Sequence, residues 1–225
     1  MLTKTQFKFD IDPIIEQVRQ LDTSERLALN YAEDGDLLGG PYLIKKEFIG
    51  TPLGNVLESL GPDIGEARLL PLGQTESYHA HRDPDDRYHL SIITSPYSYL
   101  ADLEDMKLYH LPADGELWLM DTSKLHSAIN LTGSQRVHLN IRVKMPKYTK
   151  PGRTITFTSG EFDWIHRVYV VAFGYINQKV KSGEITGLKK LSENCLGLNC
   201  SDEVFNHIVR VIEDENIKVM VKNDI

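Results

Sequence analysis

Residues 115–143 read GELWLMDTSKLHSAINLTGSQRVHLNIRV, and the last nine decide the fold class. In that stretch Val137, Leu139, Ile141 and Val143 alternate with Arg136, His138, Asn140 and Arg142. A period of two is that of a strand, so one face is apolar and the other strongly polar. A polar face on a well-formed strand predicts that it lines a cavity.

On the N-terminal side the same texture continues back to Ala67. Short runs of β-branched and aromatic residues are separated by turn formers, at the spacing of an antiparallel sandwich or barrel. The expected strands are ARLLPL (67–72), YHAHR (78–82), RYHLSIIT (87–94), MKLYHLP (106–112), GELWLM (115–120), LHSAINL (125–131) and QRVHLNIRV (135–143). Before them, Asp12 followed by Pro13 is an N-cap and first-turn signature for a short helix carrying Ile14, Ile15, Val18 and Leu21. AEDGDLLGGPY (32–42) is rich in turn formers, and residues 52–65 carry a second helix signal. After the Pro- and Lys-rich connection Pro146–Arg153, helical spacing returns in Phe162, Ile165, Val168, Tyr169, Ala172, Phe173 and Ile176, with Gly183 to end the helix. A last helix is expected from Ser201, burying Val204, Phe205, Ile208, Val209 and Ile212. The expected architecture is mainly β with flanking helices: residues 1–150 form the main domain and 151–225 a C-terminal helical extension.

Bulk properties narrow the function. A chain of 225 residues with 41% apolar and 25% charged side chains has enough surface for one core plus an appendage. A formal charge of −7 speaks against a broad cationic surface for nucleic acid. No apolar run approaches the roughly 20 residues of a membrane span, and the N-terminal sequence lacks the order of a signal peptide. A cytoplasmic protein without membrane or nucleic-acid partners is therefore expected. Cys195 and Cys200, the two cysteines, cannot close a tetrahedral zinc site by themselves and are expected to be reduced.

The chemistry is concentrated in a few polar residues. In an extended strand, His81 and Asp83 project to the same face, where an imidazole and a carboxylate can chelate one ion. His126, on a later strand, can complete a set of two histidines and one carboxylate, which leaves coordination positions open and is typical of non-haem iron(II) oxygenases. Arg136 follows on the polar face, and its planar fork can anchor a dicarboxylate bidentately. His79 projects to the same face as His81 and competes with it as a ligand. The acidic cluster DPDD (83–86) leaves Asp85 and Asp86 as solvated turn residues with no further role. Trp118 is expected to pack between layers; Asn130 belongs equally to a turn or to the cavity.

HRDPDDRYHLSIIT (81–94) followed by GELWLMDTSKLHSAINLTGSQRVHLNI (115–141) resembles the core of the aspartyl/asparaginyl β-hydroxylase superfamily, and bacterial proline cis-hydroxylases are similar too. The resemblance covers about residues 66–145. It implies a double-stranded β-helix, or jelly-roll, in which His81, Asp83 and His126 bind Fe(II) and Arg136 binds 2-oxoglutarate. Arg87 and His89 match the family's second cosubstrate-contacting pair. It also implies use of O2 in an oxidative decarboxylation of 2-oxoglutarate to succinate and CO2, coupled to hydroxylation of an amino acid, free and proline-like or within a peptide. Retention of Asp83 resembles the proline hydroxylase branch. Two other readings stand beside this one. Gly73 with His79-Ala80-His81, and His126 with Asn130, resemble the cupin motifs, although the usual glutamate is missing and Asp121-Thr122-Ser123 replaces P-x-G. The other is a non-catalytic barrel that binds a ligand.

Overall fold

The alternation of residues 135–143 becomes an interior strand in the computed structural model, which describes residues 1–33, 40–83, 85–144, 153–158, 164–192, 195–214 and 218–223. In chain order the elements are β1 (Leu2–Lys8), α1 (Ile11–Arg19), β2 (Leu27–Ala28), β3 (Asn30–Ala32), β4 (Tyr42–Ile44), α2 (Pro52–Leu60), β5 (Ile64–Leu72), β6 (Arg87–Ile93), β7 (Ser98–Asp102), β8 (Lys107–Tyr109), β9 (Glu116–Met120), β10 (His126–Asn130), β11 (Arg136–Val143), β12 (Arg153–Thr158), α3 (Trp164–Lys181), β13 (Ile185–Ser192), β14 (Cys195–Cys200), α4 (Asp202–Glu213) and β15 (Lys218–Asn223). The protein is mainly β, with several antiparallel sheets and few helices. None of the described helices is long and apolar enough to cross a membrane.

A six-stranded sheet in the order β1-β9-β6-β11-β5-β2 carries the main core. The odd-numbered face of β11 does what its alternation predicts: Val137, Leu139 and Ile141 have no exposed surface and pack with Leu69, Leu90 and Leu117 of neighbouring strands. Helices α1 and α2 close this side through Ile14, Val18, Leu53, Val56 and Leu57. Each such side chain contributes roughly 1.5–3 kcal/mol by leaving water, which is why the helices cover the apolar side. The two helices are also tied by the backbone N–H of Leu53, which donates to Oε1 of Gln17 at 2.9 Å.

The capping signals are met differently in the two helices. Thr51 caps α2, its Oγ1 accepting from the Gly54 N–H at 3.2 Å, with Pro52 as the first helical residue. In α1 the helix starts two residues earlier than the Asp12-Pro13 signature predicts, with Asp10 at the cap and no side-chain cap bond. Pro13 is tolerated there because the first-turn N–H groups have no intrahelical partner.

The even-numbered face of β11 looks the other way, across a cavity toward a three-stranded sheet in the order β10-β7-β8. Leu72 and Met120 from the large sheet meet Leu100 and Ala128 from the small one in a second apolar cluster. The expected strand 78–82 is not a regular strand. Residues 77–81 run beside β10 through two isolated bridges, Ser77 with Ile129 and His81 with His126. Four steps on one side face three on the other, so one extra residue bulges out, and this bulge re-aims the side chains that follow.

The C-terminal region departs from the helical extension expected for residues 151–225. Strands β12 to β15 form a four-stranded sheet in the order β13-β14-β12-β15, on which α3 and α4 pack. Ile155, Leu196 and Leu198 of the sheet join Ala172 and Ile176 of α3 and Val204, Phe205, Ile208 and Ile212 of α4 in a separate core. The Ser201 cap bond to the Val204 N–H, at 3.3 Å, starts α4 where its signal lies. Gly183, at φ +79°, follows the end of α3 in the left-handed conformation that glycine adopts without strain. Within the expected α3 stripe, Phe162 lies outside the described residues, as do the side chains of Ile165, Val168, Tyr169 and Phe173. So do residues 146–152 of the Pro- and Lys-rich connection and residues 34–39 of the turn-rich stretch.

Candidate metal centre

His81 and His126 stand opposite each other on paired backbone. The His81 N–H donates to the His126 carbonyl at 3.0 Å, and the reciprocal bond is 2.9 Å. Their rings lie side by side, centroids 4.4 Å apart. Asp83, anchored by its N–H on the Thr122 carbonyl at 3.0 Å, places Oδ2 3.8 Å from His81 Nε2 and 3.7 Å from His126 Nε2. One donor atom from each of the three residues lies within 4.8 Å of the other two, the one such convergence among the described residues.

Backbone carbonyls set the roles of the ring nitrogens. His81 Nδ1 lies 2.7 Å from the His79 carbonyl, and His126 Nδ1 lies 2.9 Å from that of Lys124. A carbonyl only accepts, so each Nδ1 carries the hydrogen and each Nε2 lone pair faces Asp83. This is how protein-bound metals have their histidines oriented. Burial pushes the His126 pKa down to about 4, against the opposing pull of Asp83, so its imidazole is neutral near neutrality. For Asp83, burial would raise the pKa, but the Arg87 guanidinium, then His81 and His126, outweigh it and hold the carboxyl well below its usual range. Arg87 Nη2 engages Asp83 Oδ1 at 3.2 Å, leaving Oδ2 toward the imidazoles. Two imidazole nitrogens and one carboxylate oxygen are a donor set that would suit a divalent transition metal and would leave it further positions to fill. His79 is exposed, supplies the carbonyl behind His81, and is not part of the converging group.

The cavity, of about 310 Å³, is strongly cationic: Arg26, Arg68, Arg87 and Arg136 line it, with Asp83 as the acid among its lining residues. Arg136 is 2% exposed, and its guanidinium lies against the His138 ring, Nε to Nε2 at 3.0 Å and Nη2 to Nδ1 at 2.7 Å. No carboxylate among the described residues pairs with it. Burial lowers its pKa to about 10, which leaves it charged near neutrality. Burial first, and Arg136 second, push His89 and His138 well below the ordinary imidazole value, so neither adds charge. Register explains the assembly: Asn140 pairs with His89 on one side and Arg68 on the other, so these polar side chains form one row across β5, β11 and β6.

Several buried polar atoms in this wall have no hydrogen-bond partner: Arg87 Nη1, His89 Nδ1, Asn140 Oδ1 and Arg68 Nε. Buried polar groups are ordinarily paired, so a cluster of unpaired ones along a cavity points to a polar ligand. Arg87 and His89 therefore both reach the cavity, although Nη2 of Arg87 is already committed to Asp83 and to Asp85, at 3.0 Å.

Asp85 corrects the sequence reading. It is 3% exposed, with Oδ2 2.5 Å from Arg142 Nε and Oδ1 3.3 Å from Arg142 Nη2, a fork that also raises the arginine pKa against burial. A solvated turn was expected; the reversed chain instead buries the acid between two guanidiniums, one of which grips Asp83. The alternation of β11 placed Arg142 on the polar face, but its acidic partner lies 57 residues away and had no local signal. Asp86 is tied to Lys181 of α3 at 3.0 Å. Arg26, Arg68 and Tyr78 are cavity residues that the spacing of motifs did not single out.

The other uncertain residues have structural surroundings. Asn130 has no exposed surface; its Nδ2 donates to the Gly73 and Ser134 carbonyls, both at 2.7 Å, and its Oδ1 accepts from Ser98 and Thr132. It pins the loops at one end of the small sheet. Trp118 packs against the second apolar cluster and does not line the cavity.

Residues 53–146 match the family described as aspartyl/asparaginyl beta-hydroxylase. No curated protein matches the chain. Among solved structures, a prolyl-4-hydroxylase of Pseudomonas putida is similar, with a TM-score of 0.43 and 14% identity, covering 64% of this chain and 91% of that one.

Proposed function

Because residues 53–146 match the aspartyl/asparaginyl beta-hydroxylase family, we propose that the protein is an Fe(II)- and 2-oxoglutarate-dependent dioxygenase that hydroxylates an amino acid, free or within a peptide. The six- and three-stranded sheets are read as the two walls of a double-stranded β-helix, with residues 1–150 as the oxygenase domain. His81, Asp83 and His126 hold the metal. When bound, the metal with 2-oxoglutarate and O2 supplies oxidative decarboxylation to succinate and CO2, coupled to hydroxylation of an unactivated carbon.

The chain's own share is orientation and charge. Arg136 takes the carboxylate of 2-oxoglutarate remote from the metal, and Arg87 Nη1 and His89 Nδ1 supply further contacts to the cosubstrate. Arg87 also keeps Asp83 ionised and holds its Oδ1, leaving Oδ2 as the oxygen that would take the metal. Arg26 has no acidic partner among the described residues and sits over Tyr78, 5.9 Å from the ring centroid. With Arg68 it gives the cavity an excess of positive charge that suits a substrate carboxylate.

The observation that carries this reading is a buried guanidinium without an acid, in the same cavity as a histidine, aspartate and histidine convergence. A cupin that does not use 2-oxoglutarate has no need of such a cation, and desolvating one without a partner is costly. The test is succinate formation in air over a panel of free amino acids and short peptides, with Fe(II) and 2-oxoglutarate present. A member of the panel should stimulate succinate release in step with its own hydroxylation; a panel on which none does so counts against the assignment.

A further inference from the structure

The segments that carry the converging donors, 81–83 and 122–126, are joined by backbone bonds between His81 and His126 and between Asp83 and Thr122. Side chains make an additional connection. Asp102 lies opposite His126 in the small sheet, and its Oδ1 accepts from the backbone N–H groups of Glu104 at 3.2 Å and Asp105 at 3.1 Å. These bonds fold a turn that presents the Glu104 carboxylate. Its Oε1 accepts from the Leu125 N–H at 2.9 Å and from Nη1 of Arg82. Leu125 immediately precedes His126, and Arg82 stands between His81 and Asp83. The same Nη1 donates to the Ser123 carbonyl at 2.6 Å.

The far side of Arg82 is covered by α3 at Gly174. A Cβ there would stand 2.5 Å from Arg82 Cδ and 3.2 Å from the Ser123 carbonyl oxygen, so any larger residue would displace the Arg82 side chain from its present position. Lys181, further along α3, bridges Asp86 and Asp121, both at 3.0 Å. The C-terminal region thus braces the loop from which the donors project.

We propose that Glu104 is a positioning residue for the metal site: through Arg82 and Leu125 it locks the His81–Asp83 segment to the distal histidine, so that the donors are in place before a cation arrives. The proposal rests on the metal-binding reading above. Glu104 is not itself one of the converging donors. Its side chain is 36% exposed and that of Arg82 25%, so their ion pair adds little to the stability of the fold. What the pair does is restrict two short segments to one relative position, and supporting contacts of this kind commonly change metal affinity by about 10–100-fold.

The test is anaerobic titration of the metal-free full chain with Co(II), followed by the ligand-field absorption of the bound ion, alongside thermal melting of the metal-free chain. Glu104→Ala should weaken Co(II) binding about 10-fold or more while leaving the melting temperature unchanged. Glu104→Gln keeps an oxygen for the Leu125 N–H and should recover much of the loss. Arg82→Met should reproduce part of it, and combining it with Glu104→Ala should add little, because both act through one contact. A Glu104→Ala chain that binds Co(II) as tightly as the parent overturns the proposal alone. So does a parallel loss of affinity and melting temperature that Glu104→Gln does not relieve. A parent chain that binds no Co(II) overturns the metal reading and the proposal together.

Discussion

Arg136→Met is expected to weaken 2-oxoglutarate binding by about 10- to 150-fold, the equivalent of a lost charge-assisted bond of about 1.5–3 kcal/mol, while leaving Fe(II) affinity essentially unchanged. The two effects separate because the guanidinium is not among the converging donors and its hydrogen bonds go to His138. Methionine fills a similar volume without charge. The unliganded fold should keep or gain stability, since a 2% exposed cation with no carboxylate partner is a cost in the empty protein. Anaerobic calorimetry of 2-oxoglutarate into the metal-loaded variant, with melting of the metal-free form, measures both. Unchanged cosubstrate affinity would remove Arg136 from the site and return the cupin reading to the front.

Asp83→Ala should abolish metal-dependent turnover and lower metal affinity by more than about 100-fold, since even changes to supporting groups reach that size. Asp83 supplies the anionic donor, and without it two imidazoles face a cavity whose charged lining is otherwise cationic. The chain should still fold: Arg87 keeps Asp85 at 3.0 Å, and Asp85 keeps Arg142. Metal analysis of the purified variant together with far-ultraviolet circular dichroism separates loss of metal from loss of fold. Retention of a full equivalent of metal would mean that other atoms hold the ion.

Which parts of this structure were legible beforehand follows from where the physics is local. The two-residue period of β11 announced both the core face of Val137, Leu139 and Ile141 and the polar face of Arg136, His138 and Asn140, because a strand's alternation needs no knowledge of its partners. Spacing alone did not choose between His79 and His81; the choice came from the pairing along β10, which sets His81 opposite His126 and leaves the His79 carbonyl to accept from the His81 ring. Asp85 appeared solvated in the sequence because its burial depends on Arg142, 57 residues away, as well as on Arg87, two residues on. Glu104 carried no signal at all, since its partners are a backbone N–H and an arginine 22 residues away. In the C-terminal region the helix periods of α3 and α4 are strong, whereas the strand signals are short: the β-branched run Thr154–Thr156, and Leu196 and Leu198 with Gly197 between them. Edge strand β1, with its mixed exposed and half-buried residues, has the weak pattern usual for such strands.

On the proposed function, one cavity binds a metal through His81, Asp83 and His126 and a dicarboxylate through Arg136 at the same time. Anaerobic addition of 2-oxoglutarate to the Fe(II)-loaded chain tests it most directly. A metal-to-ligand charge-transfer band is expected that saturates at one equivalent of each component, is lost in Asp83→Ala, and requires far more 2-oxoglutarate in Arg136→Met. An Fe(II)-loaded parent chain that develops no such band with saturating 2-oxoglutarate would contradict it.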